Sequence, residues 1–240
     1  MDRPLRIYLW LAFGITWGVG GLALLAGDLR SGHVLFYVAA FGPSIAGVVM
    51  AATTDGRAGL RRMLARLVPS LKALPWYAAV LVGFPALNLL AARLVEPGFV
   101  PRVTGPRLLW LLPLVLFTDT GPLGEEFGWR GFALPRLLKR WSPLAAALLL
   151  GAIWWAWHLP TFFIPTLSQH QLSVPLFLVN SLALSVIMTG LYVRTQGDLL
   201  LMIMVHVAAN YCGAIGIPFL AEVAVEVACA GAILAFGGLQ

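Results

Sequence analysis

Apolar residues dominate eight stretches of this chain, at positions 7–27, 34–54, 75–95, 108–139, 143–159, 174–194, 199–217 and 221–238. Polar and charged residues gather in the short segments between them. A run of roughly 20 apolar residues is long enough to cross a bilayer as a helix. The pattern therefore predicts an all-α polytopic membrane protein with about eight transmembrane helices, forming one transmembrane domain over residues 1–240. The fourth stretch is too long for one straight span, since a helix from Leu108 to Arg140 would reach ~50 Å at about 1.5 Å per residue. Pro113 and the Thr120-Gly121-Pro122 segment are placed to bend or break it. Between the second and third stretches, Arg57, Leu60, Arg61, Leu64 and Leu67 recur at helical spacing, which predicts an amphipathic helix on the membrane surface.

Composition narrows the class further. The chain is 60% hydrophobic and 11% charged, with a mean hydropathy of +0.88. A soluble domain of this length has no source for its polar surface in such a sequence. The same hydrophobicity excludes a disordered chain, and it excludes a nucleic-acid partner despite the net charge of +6. No small-residue cleavage site follows the first stretch, so it reads as a retained helix. With eight spans, eleven Lys and Arg residues fall on the side of the amino terminus. Four fall opposite: Arg30, Arg93, Arg102 and Arg107. That bias places both termini in the cytoplasm, and the expected location is a bacterial or archaeal plasma membrane. Cys212 and Cys229 lie in apolar stretches and read as free thiols.

Ionisable residues inside spans are costly and mark function more often than chance. Here they are Asp119, Glu125, Glu126, Arg130, His158 and His206, with Asn210 as a polar companion. Glu222 and Glu226 open the last stretch, close enough to its end to be wetted. In "GPLGEEFGWRG", Glu126 and Arg130 are four apart and share a helix face, as an ion pair requires. Glu125 lies a further 100° round the wheel and is left without a local partner. His206 and Asn210 in "HVAAN" again share one face. In "WWAWHLP", Trp154 lies four residues before His158, and Pro160 ends or kinks the helix. Counting from a turn at Trp141-Ser142 puts Glu125 and His158 at one depth of an antiparallel hairpin, and His206 lies near the same layer.

A carboxylate, two imidazoles and an amide in one low-dielectric pocket suit hydrolysis of a peptide bond. Glu125 is the candidate general base on a water, and His158 positions that water or binds a metal that acidifies it. His206 and Asn210 are candidate donors to the developing oxyanion, with Glu126 and Arg130 fixing the helix face that presents Glu125. Each constellation has a plainer reading when taken singly. Glu126 with Arg130 is a packing ion pair, His206 with Asn210 is interhelical hydrogen bonding, and His158 is a histidine at a helix end. Asp119 reads as a partner for backbone groups freed at the break. His33 and His170 read as solvated loop residues.

Together, "EEFGWR" (E-E-x-x-x-R), "WWAWH" (close to F-x-x-x-H) and "HVAAN" (H-x-x-x-N) resemble, in order, the motifs of the CPBP family of intramembrane proteases. That family takes in type II CAAX prenyl endopeptidases, bacteriocin-processing enzymes and the Abi proteins. The resemblance covers residues 108–216, taken as the catalytic core. It implies that Glu125 is the catalytic base, with Glu126 and Arg130 as its motif partners, His158 as the histidine of the second motif, and His206 with Asn210 as the third. Trp154 stands where the family usually has Phe. The implied substrate is a membrane-associated peptide or protein, a CAAX-like tail or a leader peptide. The cofactor is either Zn²⁺, with His158 and His206 as candidate ligands, or none, with glutamate and histidine activating water. The rival readings are a catalytically silent Abi-type immunity or scaffold protein and a proton-coupled transporter.

Overall fold

A computed structural model describes residues 1–25 and 34–237. Gly27, Arg30, His33 and Gly238, which entered the expectations above, lie outside the described residues. Ten main helices follow in order: α1 (Arg3–Leu25), α2 (Val34–Ala40), α3 (Gly42–Ala65) and α4 (Leu71–Val95), then α5 (Arg107–Thr118), α6 (Thr120–Gly128), α7 (Pro143–His158), α8 (Val174–Arg194), α9 (Leu199–Ala214) and α10 (Phe219–Ala235). No strand occurs among the described residues. The molecule is an all-α integral membrane protein.

Helix lengths refine the expected spans. α1, α4, α7 with its 3₁₀ extension to Phe163, and α8 are each long and apolar enough to cross a membrane. α2 and α3 meet at a 56° bend and make a fifth span if taken together. α5 and α9 are shorter apolar helices. The long fourth stretch is indeed broken, and the break falls at Asp119, whose backbone is extended (φ −83°, ψ 132°). Beyond α6 the chain makes a π-turn over Trp129–Ala133 and a short helix over Leu134–Leu137 before it turns into α7.

Every helix start leaves backbone N–H groups without an intrahelical partner, a greater cost where water is scarce. Side-chain caps meet that need on all three helices that carry the candidate site residues. Asp119 accepts from Gly121 N at 2.8 Å at the start of α6. Ser142 accepts from Ala145 N at 3.3 Å at the start of α7, with Pro143 in the first turn. Asp198 accepts from Leu201 N at 2.8 Å at the start of α9 and also takes the Tyr77 hydroxyl at 2.9 Å. Each cap fixes where a helix begins, and so which residues share its inner face.

α6 lies at the centre of the bundle. It packs on α3 and α9, while α7 and α8 form a close antiparallel pair and α10 closes against α8. Small residues permit the α3–α6 approach: a Cβ on Gly47 would lie 2.7 Å from Gly128 Cα. Ser44 reinforces it by donating to the Leu123 carbonyl, and Ser185 links α8 to α7 by donating to the Ala147 carbonyl, both at 2.8 Å. Fully buried Tyr8, Trp129, Phe132, Leu134 and Leu137 surround the π-turn. Cys212 and Cys229 are free thiols, as expected.

Candidate active site

α6, α7 and α9 bring the three motifs together. Glu125, Glu126, Arg130, Trp154, His158 and His206 are all buried, and Asn210 is half-buried. Adjacent positions on α6 send Glu125 and Glu126 to different neighbours. Arg130 Nη1 donates to both Glu126 oxygens, at 3.0 and 3.2 Å, the i,i+4 pair read from the sequence. Glu126 has a second partner that spacing did not reveal: its Oε1 lies 2.7 Å from His206 Nδ1. A carboxylate with two charge-assisted partners thus ties α6 to α9 in a low-dielectric interior, where such contacts are strong.

Glu125 is not the unpartnered acid the sequence suggested. Its Oε2 accepts from the Trp154 indole N–H at 2.5 Å and from the Trp129 indole N–H at 3.3 Å. Trp129 is four residues on from Glu125, so that contact was available to helical counting. Trp154 comes from α7 and was not. The other oxygen, Oε1, faces His158 Nε2 at 3.9 Å, too far for a direct hydrogen bond. His158 Nδ1 lies 3.0 Å from the Trp154 carbonyl. A carbonyl only accepts, so Nδ1 carries a proton, and Nε2 of the neutral ring turns a lone pair toward Glu125. One oxygen of Glu125 is therefore occupied, and the other shares an opening with a second acceptor.

Trp154 holds several of these groups at once. Its N–H meets Glu125 and its carbonyl meets His158. Its ring face carries the Arg130 guanidinium at 4.6 Å from the centroid. The His206 ring packs on it edge-on at 5.5 Å. A Phe at this position retains the ring face and loses the donor. Arg130 Nε and Nη2 have no hydrogen-bond partner among the described residues, so the aromatic face is what the rest of that guanidinium meets.

His206 Nε2 and Asn210 Nδ2 converge beside Gly121. A Cβ at residue 121 would lie 2.7 Å from the first and 3.1 Å from the second. In the sequence, Gly121 is legible only as part of a helix break. The structure makes it the residue whose missing side chain leaves both nitrogens in place. Asp119, whose expected role with freed backbone groups is observed in its bond to Gly121 N, secures that turn. The Asn210 side chain makes no hydrogen bond to another described residue.

Catalytic zinc sites use three protein ligands. Glu125 and His158 offer two facing donors, while His206 has Nδ1 on Glu126 and its remaining nitrogen, Nε2, beside Gly121. No group of three His, Cys, Asp or Glu side chains is close enough to hold a metal among the described residues. As positioned, these residues do not fit a three-ligand zinc centre.

Glu222 and Glu226 are not wetted, contrary to expectation. They are 7% and 0% exposed, and Glu226 Oε2 accepts from Asn180 Nδ2 at 2.5 Å. His170, expected in a loop, lies exposed in a short 3₁₀ turn over Ser168–Gln171, with its Nδ1 2.8 Å from the Phe162 carbonyl.

Residues 106–212 match the family described as Type II CAAX prenyl endopeptidase Rce1-like. The chain is also similar to the CAAX prenyl protease 2 of Methanococcus maripaludis, with 29% identity over 92 residues. That match covers 36% of this chain and 34% of the relative, so it spans about a third of the relative's length.

Proposed function

Because residues 106–212 match the family described as Type II CAAX prenyl endopeptidase Rce1-like, we propose that the chain is an intramembrane endopeptidase of the CPBP family whose reacting groups are Glu125 and His158. The observation that carries this reading is the opening between Glu125 Oε1 and His158 Nε2, two acceptors 3.9 Å apart. A water there donates one hydrogen bond to each and turns its lone pairs outward. Glu125 accepts the proton as that oxygen attacks the peptide carbonyl, and later returns it to the leaving amine. The indole N–H groups on Oε2 hold the carboxylate in one orientation throughout.

As the carbonyl becomes tetrahedral, negative charge gathers on its oxygen. Asn210 Nδ2 donates to that oxygen, and so does His206 Nε2 when the ring carries both protons, a state with which the Glu126 carboxylate on Nδ1 pairs. Both nitrogens converge at the first turn of α6, whose positive dipole end adds to the effect. The catalytic core is residues 108–216. The substrate is a membrane-associated peptide or protein, a CAAX-like tail or a leader peptide, that enters from the cytoplasmic side or laterally from lipid. Both termini lie in the cytoplasm. With two facing donors, the scheme runs without a metal.

The test is cleavage by the purified chain in vesicles, with prenylated and leader-type peptides anchored in the same membrane. In ¹⁸O-labelled water, the expected product carries one labelled oxygen in its new carboxyl group, and chelator leaves the rate unchanged. Loss of activity on chelation that zinc restores would replace this scheme with a metal-dependent one. No product from any anchored peptide would contradict the hydrolytic reading.

A further inference from the structure

At the end of the bundle where the basic residues collect, α3 does not run straight. Gly56 adopts φ 60° and ψ −156°, a backbone region open essentially to glycine alone. The helix is redirected there, and Asp55 and Arg62 come to face the short helix Leu134–Leu137 across a cleft. The cavity has a volume of about 120 Å³, several times the ~30 Å³ that one water occupies in the liquid. Four cations line it, Arg62, Arg66, Arg136 and Lys139, against one carboxylate, Asp55.

The hydrogen bonds show which charges remain unmatched. Asp55 is shared by Arg136 at 3.0 Å and Arg62 at 3.4 Å. Arg136 is further held by the Thr54 hydroxyl and the Phe132 carbonyl, and its guanidinium lies 3.6 Å over the Phe132 ring. It is a fixed wall. Arg66 spends Nη1 on the Tyr192 hydroxyl at 3.0 Å, which orients the guanidinium and leaves its other donors available. Lys139 is exposed and has no partner among the described residues. The cleft therefore offers converging N–H donors and net positive charge with its one acid already committed. Beside it on the same segment, Leu64, Val68 and Leu71 are exposed apolar residues, as a surface that meets acyl chains requires.

We propose that this cleft binds the phosphate group of an anionic lipid headgroup in the leaflet at the basic end of the protein. Neighbouring apolar side chains favour a lipid over free phosphate, and the charge balance favours an anionic headgroup over a zwitterionic one. The site is separate from the catalytic groups but close behind them. Its floor includes Gly131 and Phe132 of the π-turn, and a Cβ on Gly131 would lie 3.5 Å from the Glu126 carbonyl oxygen. An occupant thus braces the turn that carries Arg130.

The test uses the full chain in nanodiscs of phosphatidylcholine with a minor fraction of phosphatidylglycerol, read by native mass spectrometry and thermal melting. Wild type is expected to retain phosphatidylglycerol selectively and to melt higher with it. The Arg62→Ala/Lys139→Ala double variant is expected to bind it roughly thirtyfold more weakly, at about fivefold per cation near a membrane surface. Arg93→Ala, an exposed cation outside the cleft, is expected to bind like wild type. A parallel arm with glycerol 3-phosphate or inorganic phosphate in pure phosphatidylcholine separates the sources. Stabilisation there, lost in the double variant and without lipid retention, would overturn the lipid assignment. Equal retention of phosphatidylglycerol by wild type and the double variant would overturn the site itself.

Discussion

Two pairs of glutamates lie inside the bundle, and the protein surrounds them differently. Glu125 and Glu126 are adjacent, so α6 points them to different faces and each acquires its own partners. Arg130 and His206 meet Glu126, while two indoles meet Glu125. Glu222 and Glu226 are four apart on α10 and therefore share one face. Asn180 is the donor to Glu226 Oε2, and Glu226 Oε1 has no hydrogen-bond partner among the described residues. The first pair divides its labour: one acid locks helices together, and the other keeps a single oxygen facing an imidazole. The second pair has neither a cation partner among the described residues nor a facing base. Burial alone does not make a carboxylate a reaction centre; what matters is which of its oxygens is left free and what that oxygen faces.

Removing the locking interaction should have the broadest effect. Arg130→Met leaves the Glu126 carboxylate buried with only His206, and the loss of a buried charge partner costs about 3–5 kcal/mol. Melting temperature and cleavage are both expected to fall; an unchanged melting temperature would mean that the pair contributes little to the fold. Asn210→Ala should separate the two quantities. Loss of one oxyanion donor lowers kcat by about 10²–10³-fold, and because Asn210 holds no other described residue, melting should stay close to wild type. A change in KM alone would assign Asn210 to substrate binding instead.

Trp154→Phe sharpens the comparison within the first pair. The aromatic face under Arg130 is retained, and Glu125 Oε2 loses the shorter of its two donors. A buried acceptor deprived of a donor costs about 1–3 kcal/mol, so the expected loss in kcat/KM is around tenfold, with the ion pair intact. Full activity in this variant would show that the Trp129 indole suffices. The smallest effect is expected for Glu226→Gln, in which the carboxamide oxygen can still accept from Asn180. Cleavage should proceed at the wild-type rate without loss of stability, since a neutral isostere relieves a poorly partnered buried acid. A large loss of activity would show that the second pair takes part in the reaction.

Much of this arrangement was legible before any coordinates. Helical spacing gave the Glu126–Arg130 pair, and a count of residues from the Trp141-Ser142 turn placed Glu125 and His158 at one depth. The helix break near Gly121, and a role for Asp119 there, followed from Pro122 and the local polarity. Cross-helix contacts were not legible. α7 and α9 are apolar nearly all round, so the pattern carries no phase to say which face turns inward. The reach of Trp154 to Glu125 and of His206 to Glu126 therefore stayed hidden. Burial of Glu222 and Glu226 was missed for a related reason: nearness to a span end says nothing of the neighbours that cover it, and α4 and α8 both pack on α10. Asp55-Gly56 is a turn-favouring pair just past the end of the second apolar stretch, but it does not tell a sharp bend within a helix from a loop.

The central claim is that Glu125, with one oxygen held by indoles and the other facing His158, activates the water that cuts the substrate. Its most direct test is product formation by Glu125→Gln beside Glu226→Gln, in the same vesicles with the same anchored peptide and with insertion and melting of both variants verified. Glu125→Gln keeps the shape of the side chain and removes the base. The account predicts a normally inserted protein that forms no new terminus above background, a loss of at least about 10²–10⁴-fold, while Glu226→Gln cleaves as wild type does. Undiminished cleavage by Glu125→Gln would contradict it.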